Sequence, residues 1–593
     1  MGARKRGVAS ITQSPREGKE LSNSLPELQI SSTTAFAIFA VVNLLAATSA
    51  PIQDCDEVFN YWEPTHYLNH GFGFETWEYS PEYAIRSWLY IVIHALPGKL
   101  GSFFLSTRRS EFFLIRGVLG CVCACCETCL FSAISRSISP RVAMNFLIIM
   151  ATASGMFHAS VAFLPSSFAM YTTMMGTAAF MDTEGGLKTN KGIMWFGLGA
   201  TVGWPFAAAL VMPFLLQEFV FVKMTGNISE MAHRIFDGGE RTMIIVPFQI
   251  AVDTFFYHKL LFVPWNIVAY NVFSDSSGGP DIFGTEPWHF YIRNLLLNFN
   301  AWFLLALCAG PILLVPLVTQ QHSILRAPLW RTMIYITPFY MWLAIFSAQA
   351  HKEERFMYPA YPLLCFNAAI AMHVVLFYLG RTNRVFHSVK IPAKVKLLIA
   401  IGGVLLAVMA SLSRTMATVS AYGAPLEIYK PLQSLESSDT EGTVCLGKEW
   451  YRFPSSYFLP KKMRAGFIKS AFDGLLPGQF SETTTEFGLY PTWRVPPGMN
   501  DRNVEDLGKH VGIAQCSYLV DSHFDGSEPS ILEPNYILDT KTWDEMRCQN
   551  FLDASKTHPL SRIFWIPDLN IIPAQYRRKW GRYCLLRRKS STS

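Results

Sequence analysis

Hydrophobic positions in this chain gather into long runs, near residues 33–50, 84–106, 111–134, 141–157, 160–181, 191–222, 241–262, 292–318, 330–349, 356–379 and 397–418. A helix rising 1.5 Å per residue needs about 20 apolar residues to cross a hydrocarbon core of ~30 Å, so the pattern predicts about eleven transmembrane helices. The first run, Thr33 to Ala50, carries no charge and stops at Pro51. The stretch from Arg141 to Met181 is interrupted by Pro165 and by several Gly, Ser and Thr residues, which suits either a hairpin or a broken helix lining a cavity. Beyond about Ser420 no membrane-length run recurs. The sequence there mixes proline and charge with a cluster of Trp450, Tyr451, Phe453, Tyr457 and Phe458, and ~170 residues suffice for a separate core.

Polar segments between the runs carry the orientation signal. Residues 1–32 are polar, contain Arg4, Lys5 and Arg6, and lack the apolar core of a cleavable signal peptide. Two further segments are basic: Thr107–Ser110, with Arg108 and Arg109, and 380–396, with Arg381, Arg384, Lys390, Lys394 and Lys396. All three read as cytoplasmic. Alternation then adds 223–240 and 319–329 to that side and places 51–83, 263–291 and 350–355 on the other. The expected division is a cytosolic polar segment 1–32, a transmembrane catalytic domain 33–419, and a soluble domain 420–593 on the side of loop 51–83.

Composition agrees with this class. Only 16% of residues are charged, against about 25% in soluble domains, and 50% are hydrophobic. The net charge of +6 is spread over short segments between apolar runs, which argues against nucleic acid as a partner. Cys445, Cys516, Cys548 and Cys584 all fall in the soluble domain, an even number that permits two disulfides in any of three pairings in an oxidising compartment. Cys126 and Cys129 have CxxC spacing, but a membrane-embedded position and the lack of a second ligand pair argue against zinc. Asn227-Ile-Ser229 is the only glycosylation sequon and falls on the cytoplasmic side, where it stays unmodified.

Two constellations carry candidate chemistry. Residues 54–66, Asp-Cys-Asp-Glu-Val-Phe-Asn-Tyr-Trp-Glu-Pro-Thr-His, follow directly on the first apolar run. Ionised carboxylates are costly in hydrocarbon, so Asp54, Asp56, Glu57 and Glu63 belong just outside it. On a regular helix Asp56, Asn60 and Glu63 share one face, turned to water, with Phe59, Trp62 and His66 on another. The segment is either an interfacial anchor or the site of a general base that takes a proton from a sugar hydroxyl. The second constellation is His351-Lys-Glu-Glu-Arg-Phe356, between two apolar runs on the same side. Either Glu353 and Glu354 neutralise Lys352 and Arg355 at a solvated turn, or His351, Lys352 and Arg355 hold a leaving phosphate. Arg86 either snorkels to the interface or contacts a lipid phosphate. Arg116 and Glu127, within one apolar run, either pair or mark a cavity.

Asp54–His66, Trp77-Glu-Tyr-Ser-Pro81, Arg86-Ser-Trp, Phe157-His-Ala-Ser-Val-Ala-Phe-Leu-Pro-Ser-Ser-Phe168, His351–Phe356 and Arg452-Phe-Pro-Ser-Ser456 together resemble the eukaryotic mannosyltransferases of glycosyltransferase family 22. The resemblance implies a GT-C fold in the endoplasmic reticulum membrane with a lumenal active site. It implies dolichyl β-D-mannosyl phosphate as donor and a dolichyl-diphosphate oligosaccharide, the precursor of N-glycans, as acceptor, with mannose added in α-1,2 linkage at two stages. A β-linked donor and an α-linked product mean inversion. Carried over by motif position, Asp56 or Glu57 is the base, His351, Lys352, Arg355 and Arg86 attend the donor phosphate, and Glu63, Trp77 and Tyr79 face the acceptor. No cofactor or metal is implied. Another enzyme of the family, building a glycosylphosphatidylinositol precursor or an α-1,6 linkage, would share fold and donor. A transporter or scaffold would also explain the hydropathy, but it predicts an internal repeat, and none is evident.

Overall fold

The computed structural model describes residues 29–184, 186–274, 278–319, 324–380, 392–435, 440–484 and 491–589. Arg4, Lys5 and Arg6, and most of the basic segment 380–396, lie outside the described residues. Among those described, six helices are long and apolar enough to cross a membrane: Ser32–Ser49, Arg108–Ser137, Pro205–Thr225, Phe290–Pro316, Glu354–Gly380 and Lys394–Tyr422. The other apolar runs fold as shorter or interrupted helices. Run 191–222 divides into Thr189–Leu198, a π-turn at Gly199–Gly203, a 3-10 turn at Pro205–Val211 and Met212–Thr225. The stretch 141–181 divides into Pro140–Thr152, Ser154–Ala159 and Pro165–Met181. Of the two forms considered for that stretch it is the interrupted one, because Leu164, Pro165 and Ser166 border a cavity.

Run 84–106 departs from its expected role. Its helix, Trp88–Gly101, has only 14 residues, about 21 Å of rise, and a buried start. Asp253 caps that start, accepting from the backbone N–H groups of Trp88 (2.7 Å) and Leu89 (3.2 Å) and from the Ser87 hydroxyl (3.0 Å). The helix then returns to the face of the molecule that holds the acidic segment: Asn69 donates to the Ala95 carbonyl, and His70 meets Glu111 at 2.9 Å. Thr107–Ser110 consequently lies against the C-terminal domain, opposite to the side expected of it. Arg109 donates to the Leu426 carbonyl and to Glu427 (both 3.1 Å), and Arg108 to the Leu459 carbonyl. These arginines have protein partners, so their charge is no guide to orientation.

Loops 51–83 and 350–355 and the end of 263–291 do meet at one face, where Glu286 donates its N–H to the Ala350 carbonyl and Arg355 reaches Asp54. Segment 263–291 is not all loop, since Val263–Phe273 is helical. Helix Ala393–Tyr422 runs three residues past the expected boundary at 419 and leads directly into the C-terminal domain. That domain is built on a five-stranded sheet in the order Met463–Phe467, Gly442–Leu446, Tyr518–His523, Trp580–Arg588, Trp543–Leu552. The first three strands are parallel and the last two join antiparallel. Disulfides link Cys445 to Cys516 and Cys548 to Cys584, the latter across paired strands.

Two devices fix the domain over the membrane helices. Phe74–Glu75 pairs antiparallel with Gly478–Gln479. The fully buried Glu63 carboxylate accepts from Ser455 Oγ (2.8 Å), Ser456 N (2.6 Å), Ser456 Oγ (2.8 Å) and Phe74 N (3.0 Å). Ser455 sits at φ 147°, a region that favours glycine, and the Glu63 anchor holds it there.

Candidate active site

The acidic segment begins as a helix because Asp54 caps it, its Oδ1 accepting from Asp56 N at 2.9 Å. Between Val58 and Trp62 the helix widens to a π-turn. One residue is thereby added to the turn, and the face expected to unite Asp56, Asn60 and Glu63 is broken. Asp56 and Asn60 look into a cavity of ≈940 Å³, whereas Glu63 turns away into the anchor described above. The acids are not simply turned to water, since Glu57 and Glu63 are buried.

The cavity lies where two loops, the membrane helices and the C-terminal domain converge. Asp54, Asp56, Asn60, Trp77 and Arg86 come from the first loop, and His351, Glu353 and Arg355 from the second. Trp204, Phe206, Trp342, Phe346 and Phe356 form an apolar wall on the membrane helices, with Trp204 5.7 Å from Trp342 and 5.3 Å from Phe356. Trp450, Phe472, Leu475 and Met499 close it from the C-terminal domain. One chamber therefore touches both the lipid-facing helices and the soluble domain.

Arg355 is the electrostatic centre. Nη1 donates to Asp54 Oδ2 (2.7 Å), Nη2 to Asp56 Oδ2 (2.6 Å), and Nε contacts Glu353. Of the first reading of the second constellation, Glu353 does neutralise Arg355, but at the cavity rather than at a solvated turn. Glu354 instead accepts from Asn294 (2.7 Å) and Asn298 (2.9 Å), tying the segment to helix Phe290–Val318. Arg86 makes a two-pronged pair with Glu78, 2.7 and 2.8 Å, and its guanidinium lies 5.6 Å from the Tyr61 ring centre. His351 donates from Nδ1 to the Gly284 carbonyl (2.7 Å), and its Nε2 lies 3.1 Å from Glu353 Oε1.

These neighbours set protonation. Burial pushes the Asp54 carboxyl up to about 7, with Arg355 only partly opposing it and Asp56 and Glu353 adding to it. Burial acts on Asp56 in the same direction, but Arg355, Arg86 and His351 outweigh it and hold that carboxyl below the usual range. A shared proton thus goes to Asp54 and leaves Asp56 ionised. Burial lowers His351, while its bonds to Glu353 and Gly284 raise it by more, leaving it above the ordinary imidazole value. Asp56 remains 37% exposed to the chamber, so an incoming hydroxyl can reach it.

Four of the expected site residues lie elsewhere. Glu57 is buried among helices, accepts from Trp62 Nε1 at 3.0 Å and does not border the cavity. Lys352 turns back to cap the carbonyls of Glu286 (2.7 Å) and Gln349 and is 6% exposed. Tyr79 is fully buried and donates to the Asn60 carbonyl at 2.6 Å. Glu63 is the anchor. Arg116 and Glu127 do not pair, since Glu127 accepts from Asn43 at 2.9 Å. Sequence reasoning passed over Glu78 as the ion-pair partner of Arg86, eight residues further along the same loop. Ligand atoms of Asp54, Cys55 and Asp56 lie within 4.8 Å of one another, as a metal would require. Arg355 already satisfies both carboxylates, and a thiol beside two hard oxygens is a poorly matched donor set.

Residues 34–460 match the model of the Alg9-like mannosyltransferase family. The chain belongs to that family. Among relatives, the α-1,2-mannosyltransferase alg9 of Schizosaccharomyces pombe is 41% identical, covering 95% of this chain and 96% of its own. The α-1,2-mannosyltransferase ALG9 of Homo sapiens is 38% identical over 91% of this chain and 86% of its own. ArnT from Cupriavidus metallidurans, solved bound to undecaprenyl phosphate, is 11% identical with a TM-score of 0.47, covering 74% of this chain and 85% of that one. As a member of the family, the protein is a polytopic membrane mannosyltransferase, and the transporter and scaffold readings fall away.

Proposed function

We propose that this chain transfers mannose from dolichyl β-D-mannosyl phosphate, in α-1,2 linkage and with inversion, to a dolichyl-diphosphate oligosaccharide. The observation that carries the reading is the meeting of an accessible Asp56 with Arg355 in a chamber shared by membrane helices and the soluble domain. A lipid phosphate enters along the aromatic wall of Trp204, Trp342 and Phe356, which suits its polyprenyl chain. Arg355, Arg86 and His351 meet the phosphate, exchanging part of their carboxylate contacts for phosphate oxygens. The acceptor hydroxyl approaches from the side of Trp77 and Trp450.

Asp56 then takes the hydroxyl proton as the oxygen attacks the anomeric carbon from the face opposite the phosphate. The bond from that carbon to the phosphate oxygen breaks, its electron pair leaves with dolichyl phosphate, and the guanidinium groups stabilise the charge that develops. A single displacement of this kind needs no metal. The two disulfides of the C-terminal domain suit an oxidising compartment, which supports an endoplasmic reticulum location with the chamber facing the lumen. Purified enzyme with synthetic donor and acceptor tests the proposal: the product gains one hexose, and an α-1,2-specific mannosidase removes it. A product resistant to that mannosidase would refute the linkage.

A further inference from the structure

The segment from His558 to Lys579 lies far in sequence from the active site and takes no part in it, yet its apolar side chains are turned outward. Trp565 is 38% exposed, Leu560 49%, Leu569 50% and Ile571 87%. They stand together on one short stretch of the C-terminal domain, beside the exposed cations Arg562 and Lys579. Four large apolar groups presented together to water are unfavourable, and such a patch marks a binding surface.

What covers it follows from where it is tied. The backbone N–H of Trp565 donates to both the Ser413 carbonyl (3.1 Å) and the Ser413 hydroxyl oxygen (2.9 Å), that hydroxyl donates to the Trp565 carbonyl (3.3 Å), and Arg414 Nη1 donates to the Arg562 carbonyl (3.2 Å). Ser413 and Arg414 belong to helix Ala393–Tyr422, whose uncharged stretch, bounded by Lys396 and Arg414, is 17 residues long by the sequence, about 25 Å of rise. That stretch is the lipid-facing part of the helix, with only 11% of its apolar window buried and Leu398, Leu405, Leu406 and Met409 exposed. Arg414 therefore stands where hydrocarbon gives way to headgroups. The patch is fastened at that level and continues the lipid-facing surface of the helix. Higher on the same helix, Arg578 donates to Ser420 Oγ at 2.7 Å, so the segment runs alongside the helix rather than hanging from one point.

We propose that Leu560, Trp565, Leu569 and Ile571 form an interfacial anchor that dips into the bilayer leaflet on the side of the C-terminal domain, with Arg562 and Lys579 on the phospholipid phosphates. An aromatic ring at the headgroup level, aliphatic side chains below it and flanking cations are the composition such an interface favours. The occupant is lipid, not a protein partner, because the patch is continuous with a helix surface that lipid already covers.

The test uses the full-length enzyme in phospholipid nanodiscs with the photoreactive residue benzoylphenylalanine placed singly at Ile571, at Ile531 and at Leu406. Ile531 is fully exposed elsewhere on the same domain and Leu406 is 73% exposed on the lipid-facing helix, so none of the three replacements disturbs a core. After irradiation, intact mass reads the phospholipid adduct. The expected result is an adduct yield at 571 close to that at 406 and several-fold above that at 531. A yield at 571 no higher than at 531, whether both are low or both high, would overturn the anchor. An adduct at 571 to a copurifying protein in place of lipid would likewise overturn it.

Discussion

Replacing Asp56 by Asn separates proton acceptance from everything else this side chain does. The carboxylate is 37% exposed and is one of three acidic groups on Arg355, which keeps Asp54 at 2.7 Å and also Glu353 after the change. Loss of one part-exposed, charge-assisted bond costs on the order of 1 kcal/mol of stability, so the protein should fold and elute as the wild type does. The amide retains an oxygen for the guanidinium but accepts no proton. General-base assistance is worth about 10²–10⁴ in rate, or ~2.7–5.5 kcal/mol of barrier, and that is the expected fall in mannose transfer. The assay is turnover by purified enzyme with saturating donor and acceptor, corrected for the folded fraction. Glu57→Gln serves as control: buried and outside the cavity, it should leave turnover per folded molecule within severalfold of wild type. Near-normal turnover by Asp56→Asn would refute the assignment, and loss in Glu57→Gln with Asp56→Asn active would move the base to Glu57 and require the helix to rotate.

The pH profile tests the same point independently. A base held below the usual carboxylate range works at every pH above it and fails only as pH falls through it, so kcat/KM should show no acid limb across about pH 5–8; a limb near 7 would instead point to Asp54, whose carboxyl burial pushes up to about 7. Arg355→Lys keeps the charge but loses the fork that spans Asp54 and Asp56, and donor use should weaken about ten- to a hundredfold, with Arg355→Ala worse; normal turnover in Arg355→Ala would remove it from phosphate recognition. Glu63→Gln places an amide against two backbone N–H groups and two serines, and should lower stability by about 2–5 kcal/mol, read as a drop in melting temperature, with donor KM unchanged in the folded fraction. The arginines of Thr107–Ser110 should be protected together with the C-terminal domain when sealed microsomes are treated with protease; cleavage at 107–110 alone would contradict the shared face.

The sequence by itself determined the class of molecule. Apolar runs fix a polytopic helical body because uncharged stretches of that length have nowhere to go but lipid, and the loss of such runs after Ser420 marks a separate domain. It also singled out residues 54–66 and 351–356 as the candidate site, since carboxylates and cations at membrane boundaries are costly, and the structure joins them through Arg355. What it left open depended on direction. Whether Trp88–Gly101 crosses or turns back is decided by Asp253, more than 160 residues away, and a composition window cannot see that contact. Which acid faces the chamber is decided by a π-turn that shifts helical phase by one residue, sending Asp56 inward to the cavity while Glu63 turns to Ser455 and Ser456. Lys352 and Arg355 are three residues apart and carry the same charge, but one caps backbone carbonyls and the other gathers three carboxylates, because Glu286 for the one and Asp54 and Asp56 for the other come from loops distant in the chain. Side-chain chemistry is written locally; the company each side chain keeps is set only when those loops meet.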